Sequence, residues 1–297
     1  MERSGTNLLR RIVGSHSKIA IPPSEFKFFG QYKLGKTVEQ IFANEKLRQW
    51  NMDFRPFYPL THPEAYREAL ACYAELRGKD IPGEKTPLNE FHYDLIEEWL
   101  TDYDVRFLQL VRNPLDVIAS HKHAPFRGDK RGKELDITSQ CGRWRRSVSI
   151  GLARAYAYPD KYHVVKYEDL TADPVRVTRT LCDFLGVDFE EARMLTLSDY
   201  AGRVDNTSFA QTDGDPHADY ATIRRLGTRK HHLTDTEQAV IARLDGELAR
   251  ALGYEDDDLR RRSDKMATPG LMRKLTRRAA QGTRMSWHRS PSSGRTK

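Results

Sequence analysis

Short apolar strands, each followed by a helix, limit this chain to a small set of folds. Phe107–Val111 is a largely apolar run with the length of a buried strand, and Asn113-Pro114 then supplies an N-cap and a first-turn proline. The pattern recurs at His163–Tyr167, where Asp173-Pro174 opens another helix that Gly186 ends. Strands that alternate with helices predict an α/β fold, in which helices flank a central parallel sheet on both faces.

Helical patterns also precede and follow these units. Residues 7–13 place their apolar side chains on one helical face before Gly14, and residues 38–78 are mostly helical. Thr234–Glu237 has the form of a capping box, with a helix behind it. The length of 297 residues suits one large domain, which we place at residues 1–258.

The positive charge is concentrated in residues 259–297. That segment holds twelve Lys or Arg and one Asp, a net +11, and the chain total of +7 leaves −4 for residues 1–258. Its Arg-, Ser- and Gly-rich composition predicts a basic, disordered tail. Charge alone would suit nucleic acid, acidic glycans or anionic membranes equally, and a solvated tail is the simplest interpretation. We expect no specific nucleic-acid partner, and the sequence does not indicate an oligomeric state.

The three cysteines, Cys72, Cys141 and Cys182, are widely spaced, which favours neither a disulfide framework nor a zinc site. Reduced thiols predict a cytoplasmic protein. No apolar run approaches the ~20 residues that span a bilayer. The first residues also lack the charged stub and apolar stretch of a signal peptide.

The first candidate binding site is the loop Arg3-Ser4-Gly5-Thr6, directly before the first helix. Such a turn exposes backbone N–H groups at the positive end of the helix dipole, a geometry that holds phosphate. Gly5 permits close backbone approach, Ser4 and Thr6 offer hydroxyl donors, and Arg3 adds a guanidinium fork. The string is short enough to arise by chance, and it is not a Walker A loop.

A second candidate begins where the strand at 107–111 ends. Arg112 lies at the carboxyl end of that strand, where ligands bind in open α/β sheets, and Ser120 follows two turns into the next helix. Taken alone, these residues would also be explained by an Arg112–Asp116 surface pair and a solvated serine.

Together the two segments resemble the PAPS-dependent sulfotransferases, in the branch that includes bacterial and tyrosylprotein enzymes; PAPS is 3'-phosphoadenosine-5'-phosphosulfate. That family pairs an Arg-Ser-Gly-Thr loop for the 5'-phosphosulfate with an Arg-x-Pro-x-Asp-x-x-x-Ser segment for the 3'-phosphate. Three further family motifs are Gly83-Glu84-Lys85-Thr86-Pro87, Tyr167-Glu168-Asp169-Leu170 and Leu252-Gly253-Tyr254. The resemblance covers roughly residues 1–258 and implies a sulfotransferase catalytic domain with a P-loop-like three-layer fold.

The resemblance implies a role for each matching residue. Glu25 stands where the family places its general base, and Lys85 matches the lysine that neutralises charge on the transferring sulfuryl group. Arg3 joins them as a catalytic residue that stabilises the leaving phosphate. The implied nucleotide-binding residues are Arg3, Ser4, Gly5, Thr6, Asn7, Arg112, Ser120, Tyr167, Arg229 and Lys230.

The implied reaction is direct transfer of a sulfuryl group from PAPS to a hydroxyl or amine acceptor, which yields adenosine 3',5'-bisphosphate. It needs in-line geometry and stabilised charge, which arginine, lysine and loop amides supply without a metal. The acceptor class stays open among carbohydrates, phenols or tyrosine, and lipids. We expect residues 26–78 and 199–225 to line its site, with aromatic candidates Phe28, Phe29, Tyr32 and Trp50.

Two other interpretations stay open. Another branch of the family uses a histidine base, so His16, His92, His121 and His123 rival Glu25, although each is explained more simply as structural. A non-catalytic nucleotide- or polyanion-binding protein on the same fold is the alternative function. A kinase or nucleotide hydrolase is disfavoured because the Walker lysine is absent.

The start of the chain departs from the family pattern. Members of the family have an apolar strand leading into the phosphate loop, whereas only Met1-Glu2 precede Arg3 in this sequence. We therefore expect the first strand of the sheet to be missing or truncated. Either the assigned start is too late, which we favour, or the fold has lost a core strand.

Overall fold

The computed structural model describes residues 1–122, 136–197 and 230–254. Its strands are β1 (Ile19–Ala20), β2 (Ile81–Pro82), β3 (Phe107–Val111) and β4 (Tyr162–Lys166). Its α-helices are α1 (Thr6–Gly14), α2 (Phe28–Lys33), α3 (Val38–Phe42), α4 (His62–Leu76), α5 (Tyr93–Trp99), α6 (Pro114–Lys122), α7 (Ile137–Ala157), α8 (Tyr167–Ala172), α9 (Pro174–Leu185), α10 (Glu191–Met194) and α11 (Asp235–Ala251). Short 3-10 helices occupy Glu45–Trp50, Arg55–Phe57, Asn89–His92 and Lys230–His232.

The longer strand pair, β3 and β4, determines where the candidate site lies. The strands are parallel, and Val111 is aligned with Lys166 at their carboxyl ends. The strand predicted at 107–111 is confirmed, whereas the second strand ends one residue before Tyr167, which already begins α8. The register therefore places Arg112 and Tyr167 side by side at the edge where α/β proteins bind ligands.

The shorter pair, β1 and β2, is also parallel and aligns Ile19 with Ile81. The Gly83 N–H donates to the Ala20 carbonyl at 2.9 Å, which fixes the start of the Gly83–Pro87 loop. The parallel α/β class is thus confirmed. Within the described ranges, the strands form two separate pairs, because no backbone hydrogen bonds connect the β1–β2 pair to the β3–β4 pair.

Local signals in the sequence define the ends of several helices. The Asn113 side chain accepts a hydrogen bond from the Leu115 N–H at 2.9 Å, and Thr234 forms the predicted capping box with Glu237. Gly186 ends α9 with a φ of 69°, a conformation that glycine adopts without strain. Each N-cap contributes about 1 kcal/mol, so these boundaries are encoded locally.

The longest helix, α7, was not predicted from the sequence. Its buried stripe mixes polar and small side chains with a few large apolar ones, so the apolar periodicity that would predict a helix is weak. The buried residues are Gln140, Cys141, Trp144, Ser147, Val148 and Gly151. The helix packs against α6, α11 and β4. The Trp144 indole N–H donates to the Arg112 carbonyl at 3.0 Å, which connects α7 directly to the candidate site.

The aromatic side chains of residues 26–57 form a core. Phe28, Phe29 and Trp50 are 0%, 0% and 1% exposed, and they pack with Phe26 and Tyr66. The prediction that Phe28, Phe29 and Trp50 line an acceptor site is therefore wrong, because neighbouring rings bury them completely. Tyr32 is partly buried against the same cluster, and residues 199–225 lie outside the described residues.

The basic tail at residues 259–297 also lies outside the described residues. Within the part of the chain that the structure describes, none of the helices has the length and apolar character needed to cross a bilayer.

Asp245 of α11 is a buried acid that faces α7. Its side chain is fully buried, and its Oδ1 lies 3.1 Å from the Nε of Arg145. Burial raises the pKa of Asp245 from 3.8 to about 7, although a hydrogen bond from Cys141 and the Arg145 charge act in the opposite direction. The folded protein therefore binds a proton at this carboxyl more tightly than the unfolded chain does.

We predict that Asp245 makes stability fall as the pH rises. Because its folded pKa is raised, its stabilising contribution is full below its unfolded pKa and is lost as the pH rises through about 7. Asp245→Asn removes this pH-dependent contribution. The free energy of unfolding of the variant, relative to that of the wild type, should therefore be larger at pH 8 than at pH 5. Urea denaturation at both pH values measures the gain. Substitution of the exposed Glu247 by Gln on the same helix is the control. The prediction is contradicted if the stability of Asp245→Asn relative to the wild type is lower at pH 8 than at pH 5.

Candidate functional site

The loop before α1 has the backbone geometry of an anion-binding turn. Arg3 and Gly5 have φ values of 66° and 92°, and the Gly5 carbonyl accepts the N–H groups of Leu8 and Leu9 at 2.9 and 3.3 Å. The predicted loop and helix are thus confirmed, with Gly5 as the N-cap of α1. Amides in the first turn of a helix carry partial positive charge, which favours an anion in front of them.

Gly5 is also a close packing contact. A Cβ atom at this position would lie 2.4 and 2.6 Å from two ring carbons of Tyr167, and 3.4 Å from a methyl group of Leu110. The loop therefore rests directly on the end of the β3–β4 pair. Both the positive φ and this contact require glycine.

A hydrogen bond joins the two predicted binding segments. The Nε of Arg3 donates to the Ser120 hydroxyl at 2.9 Å, across 117 residues of sequence. Ser4 is buried beside Arg3, whereas Thr6 and Asn7 at the start of α1 are partly exposed. The structure thus brings the Arg3–Asn7 loop and α6 into one site.

Arg112 lies at the centre of that site. It is only 6% exposed, and its guanidinium carbon lies 4.3 Å from the centre of the Tyr167 ring. Its Nη2 is 3.4 Å from Asp116, and its Nε has no hydrogen-bond partner among the described residues. A buried donor without a partner is costly, and an anionic ligand would satisfy it.

Two guanidinium groups crowd this part of the site. Burial lowers the pKa of Arg3, and the nearby Arg112 lowers it further, while Glu2 acts in the opposite direction. Like charges that are brought together in a buried place repel each other, and a bound anion removes that repulsion. The Arg3–Arg112 site therefore fits a phosphate or sulfate group.

Glu25 and Lys85 form the second part of the site. The Lys85 Nζ donates to Glu25 Oε1 at 2.9 Å, and the Lys27 Nζ lies 3.2 Å from Oε2. Burial acts to raise the pKa of Glu25, but Lys85 and Lys27 outweigh it and the net pKa is lowered. Burial lowers the pKa of Lys85, with Glu25 opposing that shift. Two of the three residues predicted to be catalytic, Glu25 and Lys85, are thus in direct contact, with the carboxylate ionised at neutral pH.

Arg10 is a part of this site that the sequence analysis missed. It is buried in α1, and its Nη1 donates to the Pro22 carbonyl at 3.2 Å. It is close enough to lower the pKa of Lys85, after burial and in opposition to Glu25. The i, i+4 spacing from Thr6 places Arg10 on the same helical face as the loop, and that signal could have found it.

The rival histidine bases are not equally suited to the role. His16 is fully buried, its Nδ1 accepts the Lys18 N–H at 3.0 Å, and its Nε2 lies 2.9 Å from the Asp188 carbonyl. Both ring nitrogens are therefore engaged, with the proton on Nε2. Burial lowers the pKa of His92, with Lys33 contributing and Glu90 opposing. His121 is buried, and His123 lies outside the described residues.

The remaining predicted residues, Arg229 and Lys230, lie on either side of a boundary of the described residues. Lys230 belongs to a 3-10 helix that packs against α6, and its carbonyl accepts from the Gln238 side chain at 3.0 Å. Arg229 lies outside the described residues. In the described ranges, the His, Cys, Asp and Glu side chains form no group of three that could hold a metal ion.

The turn at a helix N-terminus, the buried Arg112 beside the partly buried Arg3, and the carboxyl edge of parallel strands form a site on an α/β protein that would suit an anion. The sequence matches the profile of the sulfotransferase family over residues 1–191, which is more than half of the chain. The chain belongs to that family.

Similarity to individual proteins is more local. Carbohydrate sulfotransferase 1 of Rattus norvegicus is 33% identical over 101 residues, and the Homo sapiens protein of that name has the same identity over the same length. The matched part is 29% of this chain and 24% of each relative, so the chain spans about a quarter of those proteins.

A solved structure supports the fold over most of the chain. The sulfotransferase domain from the Synechococcus PCC 7002 olefin synthase superposes with a TM-score of 0.52 at 22% sequence identity. The superposition covers 86% of this chain and 92% of that domain. At this identity the likeness extends to the fold, and the site must be argued from its own residues.

We predict that Gly5→Ala destabilises the protein, because the added Cβ meets the Tyr167 ring and the positive φ disfavours alanine. The free energy of unfolding should fall by about 1–3 kcal/mol. Gly142→Ala in α7 is the matched control, since a Cβ there meets nothing within 4 Å, and it should stabilise the helix by up to about 1 kcal/mol. Urea denaturation compares the two. Equal effects of both substitutions would exclude the steric explanation.

Proposed function

We propose that the protein is a sulfotransferase that uses PAPS as its donor and a carbohydrate hydroxyl as its acceptor. The observation that carries the proposal is the Arg3–Arg112 site, where a partly buried and a buried guanidinium group converge and the Arg112 Nε has no hydrogen-bond partner among the described residues. A donor with phosphate at its 3' position and phosphosulfate at its 5' position offers the two anionic groups that this site and the adjacent loop suit.

The residues divide the donor between them. The amides at the start of α1, together with Arg3, face the 5'-phosphosulfate, while Arg112 and Ser120 hold the 3'-phosphate. Tyr167 supports both halves, because its ring lies against Gly5 on one side and Arg112 on another. When bound, PAPS supplies an activated sulfuryl group whose bond to the 5'-phosphate breaks as the bond to the acceptor forms.

Glu25 and Lys85 suit the proton and charge transfers of this reaction. Glu25 is held ionised and accepts the proton that the acceptor hydroxyl loses. Once Glu25 is protonated, its ion pair with Lys85 loses its attraction, and the ammonium becomes available to the leaving phosphate oxygen. Proton removal and leaving-group stabilisation are thus coupled through one contact of 2.9 Å.

The acceptor class is inferred from the names of the relatives. The mammalian relatives are named carbohydrate sulfotransferases, and the segment they share with this chain is 29% of its length. A sugar hydroxyl is therefore the first acceptor to test, with phenols, amines and lipids as comparisons.

We predict that Arg112→Ala weakens binding of adenosine 3',5'-bisphosphate. Loss of charge-assisted hydrogen bonds to a phosphate should weaken binding about 10- to 100-fold. Isothermal titration calorimetry measures this, with Arg48→Ala, an exposed arginine, as the control. If the folded wild type binds no nucleotide, the proposed donor is wrong. If the variant binds as well as the wild type, the assignment of Arg112 is wrong.

We predict that Glu25→Gln lowers turnover about 100-fold or more, because glutamine cannot accept the proton. Nucleotide affinity should stay within about twofold, because the Arg3–Arg112 site is unaltered. Transfer of labelled sulfate from PAPS to a panel of oligosaccharides measures turnover, and the exposed Glu45→Gln serves as the control. Full activity of Glu25→Gln would remove Glu25 from the role of base.

A further inference from the structure

Glu84 lies between Gly83 and Lys85 in the loop after β2, and its carboxylate is a hydrogen-bond centre. The Thr86 hydroxyl donates to its Oε2 at 2.7 Å, and the Asn89 amide donates to its Oε1. The phenol of Tyr66, on α4, also hydrogen-bonds to it. Glu84 thus connects its own loop to the aromatic core.

The Thr86 hydroxyl carries this connection to a further element. Its Oγ1 accepts the backbone N–H of Lys27 at 3.1 Å while it donates to Glu84. A hydroxyl has one proton, so donation to Glu84 leaves the oxygen lone pairs facing Lys27. The carboxylate of Glu84 therefore determines the direction of both hydrogen bonds.

Lys27 has a backbone conformation that such a hydrogen bond would stabilise. It is the N-cap of α2 with a φ of 56°, a left-handed conformation that is unfavourable for a lysine. The turn at Lys27 follows Glu25 by two residues and orients both side chains. The Glu25 carboxylate lies between the Lys27 and Lys85 ammonium groups, at 3.2 and 2.9 Å.

We infer that Glu84 is a positioning residue for sulfuryl transfer, which acts through Thr86 and the Lys27 backbone to hold Glu25 between Lys85 and Lys27. The inference rests on the proposed function, because Glu25 and Lys85 are the catalytic pair of that proposal. Glu84 makes no contact with Glu25 in the described hydrogen-bond network. Its proposed effect on Glu25 is through the position of the Lys27 backbone, while its charge also acts on Lys85.

The electrostatics of the cluster agree with this division of roles. Burial raises the pKa of Glu84, Glu25 contributes in the same direction, and Thr86, Asn89 and Lys85 oppose the shift. The pKa of Glu25 is lowered on balance, because Lys85 and Lys27 outweigh its burial. Arg10 and Glu84 also act on Lys85: Arg10 lowers its pKa and Glu84 raises it. The two carboxyl groups thus lie in different environments, and Glu25 is the one held between two ammonium groups.

The test compares Thr86→Val with Thr86→Ser in the full chain. Valine keeps the shape of the side chain but removes the hydroxyl, so Lys27 loses its acceptor and Glu25 moves from its place. We expect kcat to fall roughly 10- to 100-fold while the KM for PAPS stays within about twofold. Thr86→Ser should recover most of the activity, and Glu84→Ala should behave like Thr86→Val.

A second readout needs no turnover. Carbon-13 NMR titration of the Glu25 carboxyl should move to higher pH in Thr86→Val, because the carboxylate loses its close contact with Lys85. Unchanged titration and unchanged kcat in Thr86→Val would overturn the inference. So would equal losses in Thr86→Val and Thr86→Ser. If the wild type neither binds adenosine 3',5'-bisphosphate nor transfers sulfate, the proposed function fails, and the titration still tests the positioning role.

Discussion

The contact between Gly5 and the ring of Tyr167 is the interaction on which the site depends. It places the Arg3–Thr6 loop against the carboxyl end of the β3–β4 pair. The Gly5 backbone lies closer to the Tyr167 ring than a residue with a side chain at position 5 would allow. With the loop in that place, the Arg3 Nε donates a hydrogen bond to Ser120, the last residue of the segment that begins at Arg112. Arg112 then lies against the same ring. One close approach of backbone to aromatic ring thus aligns segments that are far apart in the sequence.

Charge divides the site into two regions with different chemical uses. In the first, Arg3 and Arg112 crowd together, and burial and mutual repulsion lower the pKa of Arg3. In the proposed function, an anionic ligand would relieve that repulsion. In the second, Lys85 already has a carboxylate partner, so its charge becomes available when Glu25 takes a proton. In the proposed reaction, the two guanidinium groups of the first region would bind the donor, and the Glu25–Lys85 ion pair of the second would take up the acceptor proton.

Prediction from the sequence succeeded where the signal was local. The strand at 107–111, the caps at Asn113 and Thr234 and the loop before α1 depend on a few neighbouring residues, and the structure contains them all. It failed for the aromatic residues, because burial of Phe28 and Phe29 depends on partners from other elements. It also missed α7, whose buried stripe includes polar residues that pack only in the folded protein.

The order of motifs along the chain was enough to indicate the family, and it predicts the nucleotide-binding loop, the base Glu25 and the lysine Lys85. Those features are patterns of residue type and spacing, which are written in one dimension. The pairing of Lys85 with Glu25, the burial of Arg10 and the support of Lys27 by Thr86 depend on how α1, α2 and the Gly83–Pro87 loop pack together. Such contacts join residues up to 60 positions apart, and electrostatic coupling at 3 Å arises only after the chain has folded.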